Sequence, residues 1–202
     1  LDALFNNGAY AIPGAVEDLP RAALRQIFEA NLFGYHDLTR RVIPIMREQG
    51  QGRILNCSSV LGFAALKWRG AYNTTKFAME GLSDTMRLEL RDSGIHVVLI
   101  QPGPITTKIR QNSIPHFEKW IDWENSALSG LYRATLHKRL YADDQPPDKF
   151  ELAPRTVSVK VHEALTVARP KSRYKITFPT YLMAVLRRIL PRRLFDNILA
   201  RA

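Results

Sequence analysis

Ser59-Val-Leu-Gly-Phe-Ala-Ala-Leu-Lys-Trp-Arg-Gly-Ala-Tyr-Asn-Thr-Thr-Lys76 closes a strand, crosses a loop and opens a helix. Tyr72 and Lys76 are four residues apart, so a helix puts them on one face, about one turn apart. Ser59 lies thirteen residues before Tyr72, at the end of the apolar run Arg53–Ser59. A strand leading into a loop and a helix can fold that serine back opposite the tyrosine. The trio reads as chemistry. A free phenol titrates near pH ~10 and is a poor base at neutral pH. Bringing it down by about 3 units takes roughly 4 kcal/mol. An ammonium about 4 Å away supplies up to about 4 kcal/mol at an effective dielectric of ~20. Lys76 is thus expected to make Tyr72 a usable proton carrier, with Ser59 holding a substrate oxygen. Tyr-x-x-x-Lys alone is common on helices; the offset of Ser59 gives it meaning.

Working outward, Leu1–Asn7 reads as a strand ending in polar residues, and Gly8–Gly14 as a loop. Pro20 suits a first helical turn, and apolar residues recur at helical spacing from Leu24 to Met46. Asn31 lies on that stripe, where a buried amide needs partners. Ile54–Cys57 is a second strand. The Tyr72 helix runs from about Gly70 to Arg91, and Ile95–Ile100 is a strand apolar enough to be covered on both faces. Gln101-Pro-Gly-Pro104 ends it. Ile105–Phe150 is mixed, with a loop at Gln145-Pro-Pro147. A helix follows Pro154, then a short strand Arg173–Phe178. A basic amphipathic segment, Thr180–Ala202, is broken at Pro191. The alternation predicts an α/β fold, a Rossmann-like three-layer arrangement on a parallel sheet. Ligands bind beyond the carboxyl ends of such strands, and Asn7, Ser59 and Pro102-Gly103 all fall there.

The chain of 202 residues is one domain's worth, 46% hydrophobic and 24% charged. A single cysteine, Cys57, excludes an internal disulfide and favours an intracellular, cytoplasmic setting. The net charge is +10, and the segment from Arg169 onward holds nine Lys/Arg against Asp196 alone. Basicity is therefore a property of the tail. The five histidines show no metal-ligand spacing, so no metal is expected. No nucleic-acid motif accompanies the basic tail. No stretch reaches about 18 apolar residues, the length of a membrane span.

The order Asn6-Asn7-Gly8-Ala9, Asn31, Ser59, Tyr72-x-x-x-Lys76 and Pro102-Gly103 resembles the short-chain dehydrogenase/reductase family, from Leu1 to about Phe178. The resemblance implies a Rossmann-type oxidoreductase that uses NAD(P) on an alcohol/carbonyl pair. It makes Tyr72 the general acid/base, Ser59 the group that orients the substrate oxygen, and Lys76 the residue that lowers the tyrosine pKa and bonds the nicotinamide ribose. Asn31 would hold a water of the proton relay. Asn7, with Gly8 and Ala9, matches the sheet-stabilising asparagine motif beside the cofactor. Pro102 and Gly103 match the turn under the nicotinamide. Ile105 and Thr107 match positions binding its carboxamide, with Thr106 a rival for the hydroxyl role.

Two departures stand out. The motif reads Asn-Asn-Gly-Ala where the family usually has Asn-Asn-Ala-Gly, and both residues are small. No Gly-x-x-x-Gly-x-Gly phosphate loop is found. The sequence, which opens on Leu1 in an apolar run, reads as truncated at its N-terminus, with the first strands missing and Leu1–Phe5 left at a sheet edge. This 202-residue chain is accordingly expected to bind dinucleotide poorly and to be inactive, and the complete gene product to be an enzyme. Residues 1–178 read as the incomplete oxidoreductase domain and 179–202 as a helical tail. Ile109, Ile114, Phe117, Trp120, Ile121, Trp123, Leu128 and Leu131 are candidates to line an apolar pocket for a lipophilic substrate of steroid, retinoid or long-chain type. The tail suggests peripheral contact with a membrane surface. By family analogy the helices Leu24–Met46 and Gly70–Arg91 are candidate faces of a homo-oligomer. The rival reading is a catalytically inert module for membrane-surface or protein interaction.

Overall fold

The computed structural model describes residues 1–142 and 147–201. Gln145 and Pro146 of the expected loop lie outside the described residues. Four strands form one parallel sheet in the order β1 (Ala3–Asn6), β2 (Gly52–Cys57), β3 (Ile95–Pro102), β4 (Arg173–Ile176). Alternate residues of the central strands face opposite layers. Ile54 and Val97 pack against helices α2 (Gly34–Gln49) and α3 (Gly70–Glu89) through Val42, Met46 and Met86. Leu55, Val98 and Ile100 pack on the other face, against Val157, Val161 and Ala164 of the helix Arg155–Thr166. This is the three-layer α/β arrangement expected.

The helix expected through Leu24–Met46 is interrupted. Helix α1 (Arg21–Phe28) passes through a π-turn, Glu29–Phe33, before α2 begins. Asn31 sits inside that turn, and single π-turns recur at functional sites. The region read as mixed is largely helical. Helix α4 (Ile109–Trp120) is followed by α5 (Ser129–Leu131) and α6 (Lys138–Tyr141), joined by a π-turn at Tyr132–His137. Tyr132 is fully buried there with Phe117, Ile121 and Leu136. Arg155–Thr166 is α7, and α8 (Phe178–Ile189) and α9 (Arg192–Leu199) close the chain. Their inner faces, with Phe195 and Leu199, pack on Phe63 and Ala64.

A buried polar ladder ties β1 and β2 to the helix layer of α2 and α3. Asn6 Nδ2 donates to Asn56 Oδ1 (2.8 Å) and Thr39 Oγ1 (3.1 Å), and Asn56 Nδ2 donates to Ser83 Oγ (2.9 Å). Asn6 and Asn56 are partners in the β1–β2 register. The sheet-stabilising asparagine is thus Asn6, whereas Asn7, the residue expected, is exposed. A one-residue step along a strand reverses the face. Asn6→Ala leaves Thr39 and Asn56 without their donor, and a loss of about 3 kcal/mol in urea unfolding is expected. Asn7→Ala is expected to change stability by under about 0.5 kcal/mol.

Candidate active site

The expected trio comes together at the carboxyl rim of the sheet. Ser59 follows β2, and its Oγ accepts from Leu61 N (3.1 Å) while facing Pro102 O at the end of β3 (3.5 Å). The strands β2 and β3 thereby meet at one hydroxyl. Tyr72 stands in the first turn of α3, with its phenol beside the Ser59 hydroxyl, which favours the ionised form. Lys76, one turn on, carries its Nζ 5.4 Å from the centre of the Tyr72 ring. The Lys76 side chain is 1% exposed, and Nζ donates to Cys57 O (2.7 Å).

The electrostatics differ from the expectation. Burial pushes the Tyr72 phenol up, and the nearby Cys57 and Tyr35 add to the shift. Arg69 and the Ser59 hydroxyl oppose it. Arg69, at the start of α3 three residues before Tyr72, is thus a cation that opposes the rise, while Lys76 turns its Nζ to a backbone carbonyl. The physical reason is direction. Nζ lies over the ring and its short bond goes to a backbone carbonyl. Burial meanwhile lowers Lys76 itself to about 8, with Cys57 and Glu80 drawing it back up. Burial also raises Tyr35 to about 12, and its hydroxyl is buried without a partner among the described residues.

Asn31 is fully buried and fully engaged. Its Oδ1 accepts from Tyr10 N (3.2 Å), and its Nδ2 donates to Tyr10 O (2.9 Å) and Thr75 Oγ1 (3.3 Å). The amide pins the Gly8–Gly14 loop to α3. Gly8 is exposed, and a Cβ built on it would meet only Tyr35 Oη, at 4.0 Å. Ala9 is half-buried beside it.

Pro102 ends β3, and Gly103 donates its N–H to Ile176 O (3.0 Å). A Cβ at Gly103 would collide with Oγ1 of Thr177 and of Thr180, so glycine is required there by packing. The Ile105 side chain packs into the core between β3 and α7, and its backbone bridges Leu152. Thr107 is exposed, and its Oγ1 accepts from Ile109 N (3.4 Å) at the start of α4. The rival hydroxyl, Thr106, is hydrogen-bonded to Glu151.

Of the expected pocket residues, Phe117 and Ile121 are buried in the core. Ile114, Trp120 and Trp123 are half-covered against the same cluster, which also takes the ring of Tyr72. A cleft of about 500 Å³ runs along Glu118–Glu124, and one of about 570 Å³ lies between α3 and α8; Ser59 and Tyr72 line neither.

Sequence reasoning missed Arg69, whose position three before Tyr72 was the available signal. It also missed Thr177, a β-branched residue at φ 83° on this rim, which no local motif marks.

The chain is 38% identical over 196 residues to the "Uncharacterized oxidoreductase YbbO" of Escherichia coli (strain K12), covering 97% of this chain and 66% of that protein. It is 30% identical over 207 residues to the "NADPH-dependent 3-dehydrocapnine reductase" of Ornithobacterium rhinotracheale, covering 98% and 69%. It thus spans about two thirds of the length of these relatives. A short-chain dehydrogenase from Streptomyces avermitilis superposes with a TM-score of 0.71 at 24% identity, over 98% of this chain and 70% of that one. The family model for short chain dehydrogenases matches residues 1–117, the span holding the asparagine ladder, Ser59, Tyr72 and Lys76. On that match and the 30–38% identities, the chain belongs to the short chain dehydrogenase family.

Proposed function

We propose that the gene product interconverts an alcohol and a carbonyl using NAD(P), with Tyr72 carrying the proton. The observation that carries this reading is the Ser59–Tyr72 hydroxyl pair at the rim of the sheet, one helical turn from a buried lysine. Ser59 holds the substrate oxygen, and Tyr72 gives or takes its proton. A nicotinamide bound beside them supplies or accepts the hydride. The residues fit that group. Lys76 spends one of its three N–H donors on Cys57 among the described residues, and Tyr35 Oη lacks a partner. Gly8 is exposed, with Tyr35 Oη 4.0 Å from where its Cβ would be. Buried donors without acceptors suit the hydroxyls of a ribose. Pro102, Gly103, Ala9 and the Thr107 hydroxyl are proposed to border the nicotinamide, with Ile105 acting from the core. Asn31 acts by holding the Tyr10 backbone. A homo-oligomer follows from family analogy alone.

The substrate is proposed to be lipophilic, because Trp120, Trp123 and Ile114 extend the apolar cluster that covers Tyr72. The test is NADPH or NADH oxidation by the full-length gene product with aldehydes and ketones of increasing chain length. KM is expected to fall as the chain lengthens, by about fourfold per added methylene. A flat dependence removes the lipophilic assignment, and no oxidation with any carbonyl removes the redox reading.

A further inference from the structure

Helices α8 and α9 bury one face and leave another apolar face in water. The inner face packs on Val60, Phe63, Ala64 and Leu66, the loop that starts one residue after Ser59. Arg187 secures it, donating to Phe63 O (2.9 Å). The outer face of α8 carries Phe178, Tyr181, Val185 and Ile189, spaced by three and four residues. Such spacing makes a single line along a helix. Ile189 is 66% exposed and Val185 55%. Leu194 and Ile198, four apart and exposed, extend the apolar surface onto α9. A helix of a globular domain normally turns its apolar stripe inward, and this pair has a second stripe that, among the described residues, only the Phe150 ring touches, at Phe178, and whose four α8 residues stay more than half exposed.

The charge around the stripe selects its occupant. Arg188 flanks it on α8, and Arg193 and Arg201 flank Leu194 and Ile198. The one acid in the segment, Asp196, is paired with Arg192 at 3.0 Å. From Arg169 onward the chain carries nine basic residues and that single acid. A second copy laid face to face would bring like charges together. An anionic surface is complementary to them, and arginines can place their stems along apolar groups with the heads in the polar layer. Among the described residues no helix is long and apolar enough to cross a membrane.

We propose that the outer face of α8–α9 docks on an anionic lipid surface, with Phe178, Tyr181, Val185 and Ile189 entering the interface and Arg188 and Arg193 meeting headgroup phosphates. This does not depend on the redox reading, and its test uses no activity. The full-length protein is sedimented with vesicles of phosphatidylcholine alone or with about 30 mol% phosphatidylserine, at low and high salt. Partition is expected to favour the anionic vesicles by at least about tenfold and to fall with salt. The pair Arg188→Glu and Arg193→Glu is expected to reduce it about 30-fold or more. The pair Val185→Ser and Ile189→Ser is expected to reduce it about tenfold. All four side chains are exposed, so the melting temperature is expected to be unchanged in both double variants. Equal partition onto neutral vesicles, or none onto anionic ones, overturns the proposal. So does a dimer by light scattering that the serine pair converts to monomers, since a second copy then covers the stripe.

Discussion

Replacing Tyr72 by phenylalanine in the full-length gene product is expected to lower kcat/KM for carbonyl reduction by about a thousandfold. Affinity for the nicotinamide coenzyme is expected to stay within about threefold. The variant keeps the ring, which packs against the Phe117–Tyr132 cluster, and removes only the oxygen that faces Ser59. Burial raises the phenol above its ordinary value, so at neutral pH Tyr72 holds its proton. That state suits a donor to a developing alkoxide. In the direction of alcohol oxidation the phenol must come down, and the cations available for that are Arg69 and Lys76. Coenzyme titration by fluorescence beside steady-state rates separates the two effects. A variant that keeps more than about a tenth of the activity sinks the assignment of Tyr72 as proton carrier.

Lys76→Met is expected to make the protein more stable near neutral pH while disabling the site. Lys76 is 1% exposed, and burial lowers it from its ordinary 10.5 to about 8. A lowered ammonium pKa means that the folded state resists the charge. Below about pH 8 the folded and unfolded chains both carry it, and the penalty is complete. Between about 8 and 10.5 the folded chain has released the proton and the unfolded chain has not, so stability rises with pH. The gap corresponds to a penalty on the order of 3 kcal/mol. Methionine removes it but orphans the Cys57 carbonyl, which costs about 1–2 kcal/mol. A net gain of about 1–2 kcal/mol at pH 7 follows, or a few degrees in Tm. Urea unfolding at pH 7 and at about pH 9.5 is the check. The wild type should gain stability at the higher pH, and the variant should not. A destabilised variant at pH 7 would show that the buried ammonium is supported by contacts stronger than the Cys57 bond.

A buried lysine whose charge the fold disfavours is a common mark of a functional site. The same tension shows at Thr177, held at φ 83° on the rim. Such conformations cost about 1–3 kcal/mol and persist where the surroundings impose them. The Thr177 Oγ1 shares a hydrogen bond with Thr180 Oγ1 (3.1 Å), and both hydroxyls occupy the space that a Cβ on Gly103 would need.

Much of the frame was legible because its signals are periodic. Ile54–Cys57 and Ile95–Ile100 are apolar runs bounded by glycine and proline, and both are sheet strands with helices on either face. The trio was legible because the loop length between Ser59 and Tyr72 is fixed by sequence and the four-residue step to Lys76 by helix geometry. What depended on side-chain direction was not legible. Asn6 and Asn7 are chemically identical neighbours, and only the pleat of β1 decides which one meets Asn56. Lys76 has four rotatable bonds, so helical spacing left its hydrogen bond to the Cys57 carbonyl undetermined. The helical course of Ser129–Tyr141 was hidden because its apolar positions serve a π-turn, which breaks the 3.6-residue period. Thr180–Ala202 reads as amphipathic, yet the sequence alone does not separate the stripe that packs on Phe63 from the one that stays in water.

The Ser59 and Tyr72 hydroxyls are proposed to act as one unit on a substrate oxygen. A double-mutant cycle on kcat/KM with Ser59→Ala and Tyr72→Phe, in the full-length gene product, addresses it most directly. Each single change should be severe, and the double variant should be within about threefold of Tyr72→Phe alone, as for groups that work together. Losses that multiply in the double variant, or a Ser59→Ala enzyme as active as wild type, would show that the two hydroxyls act separately.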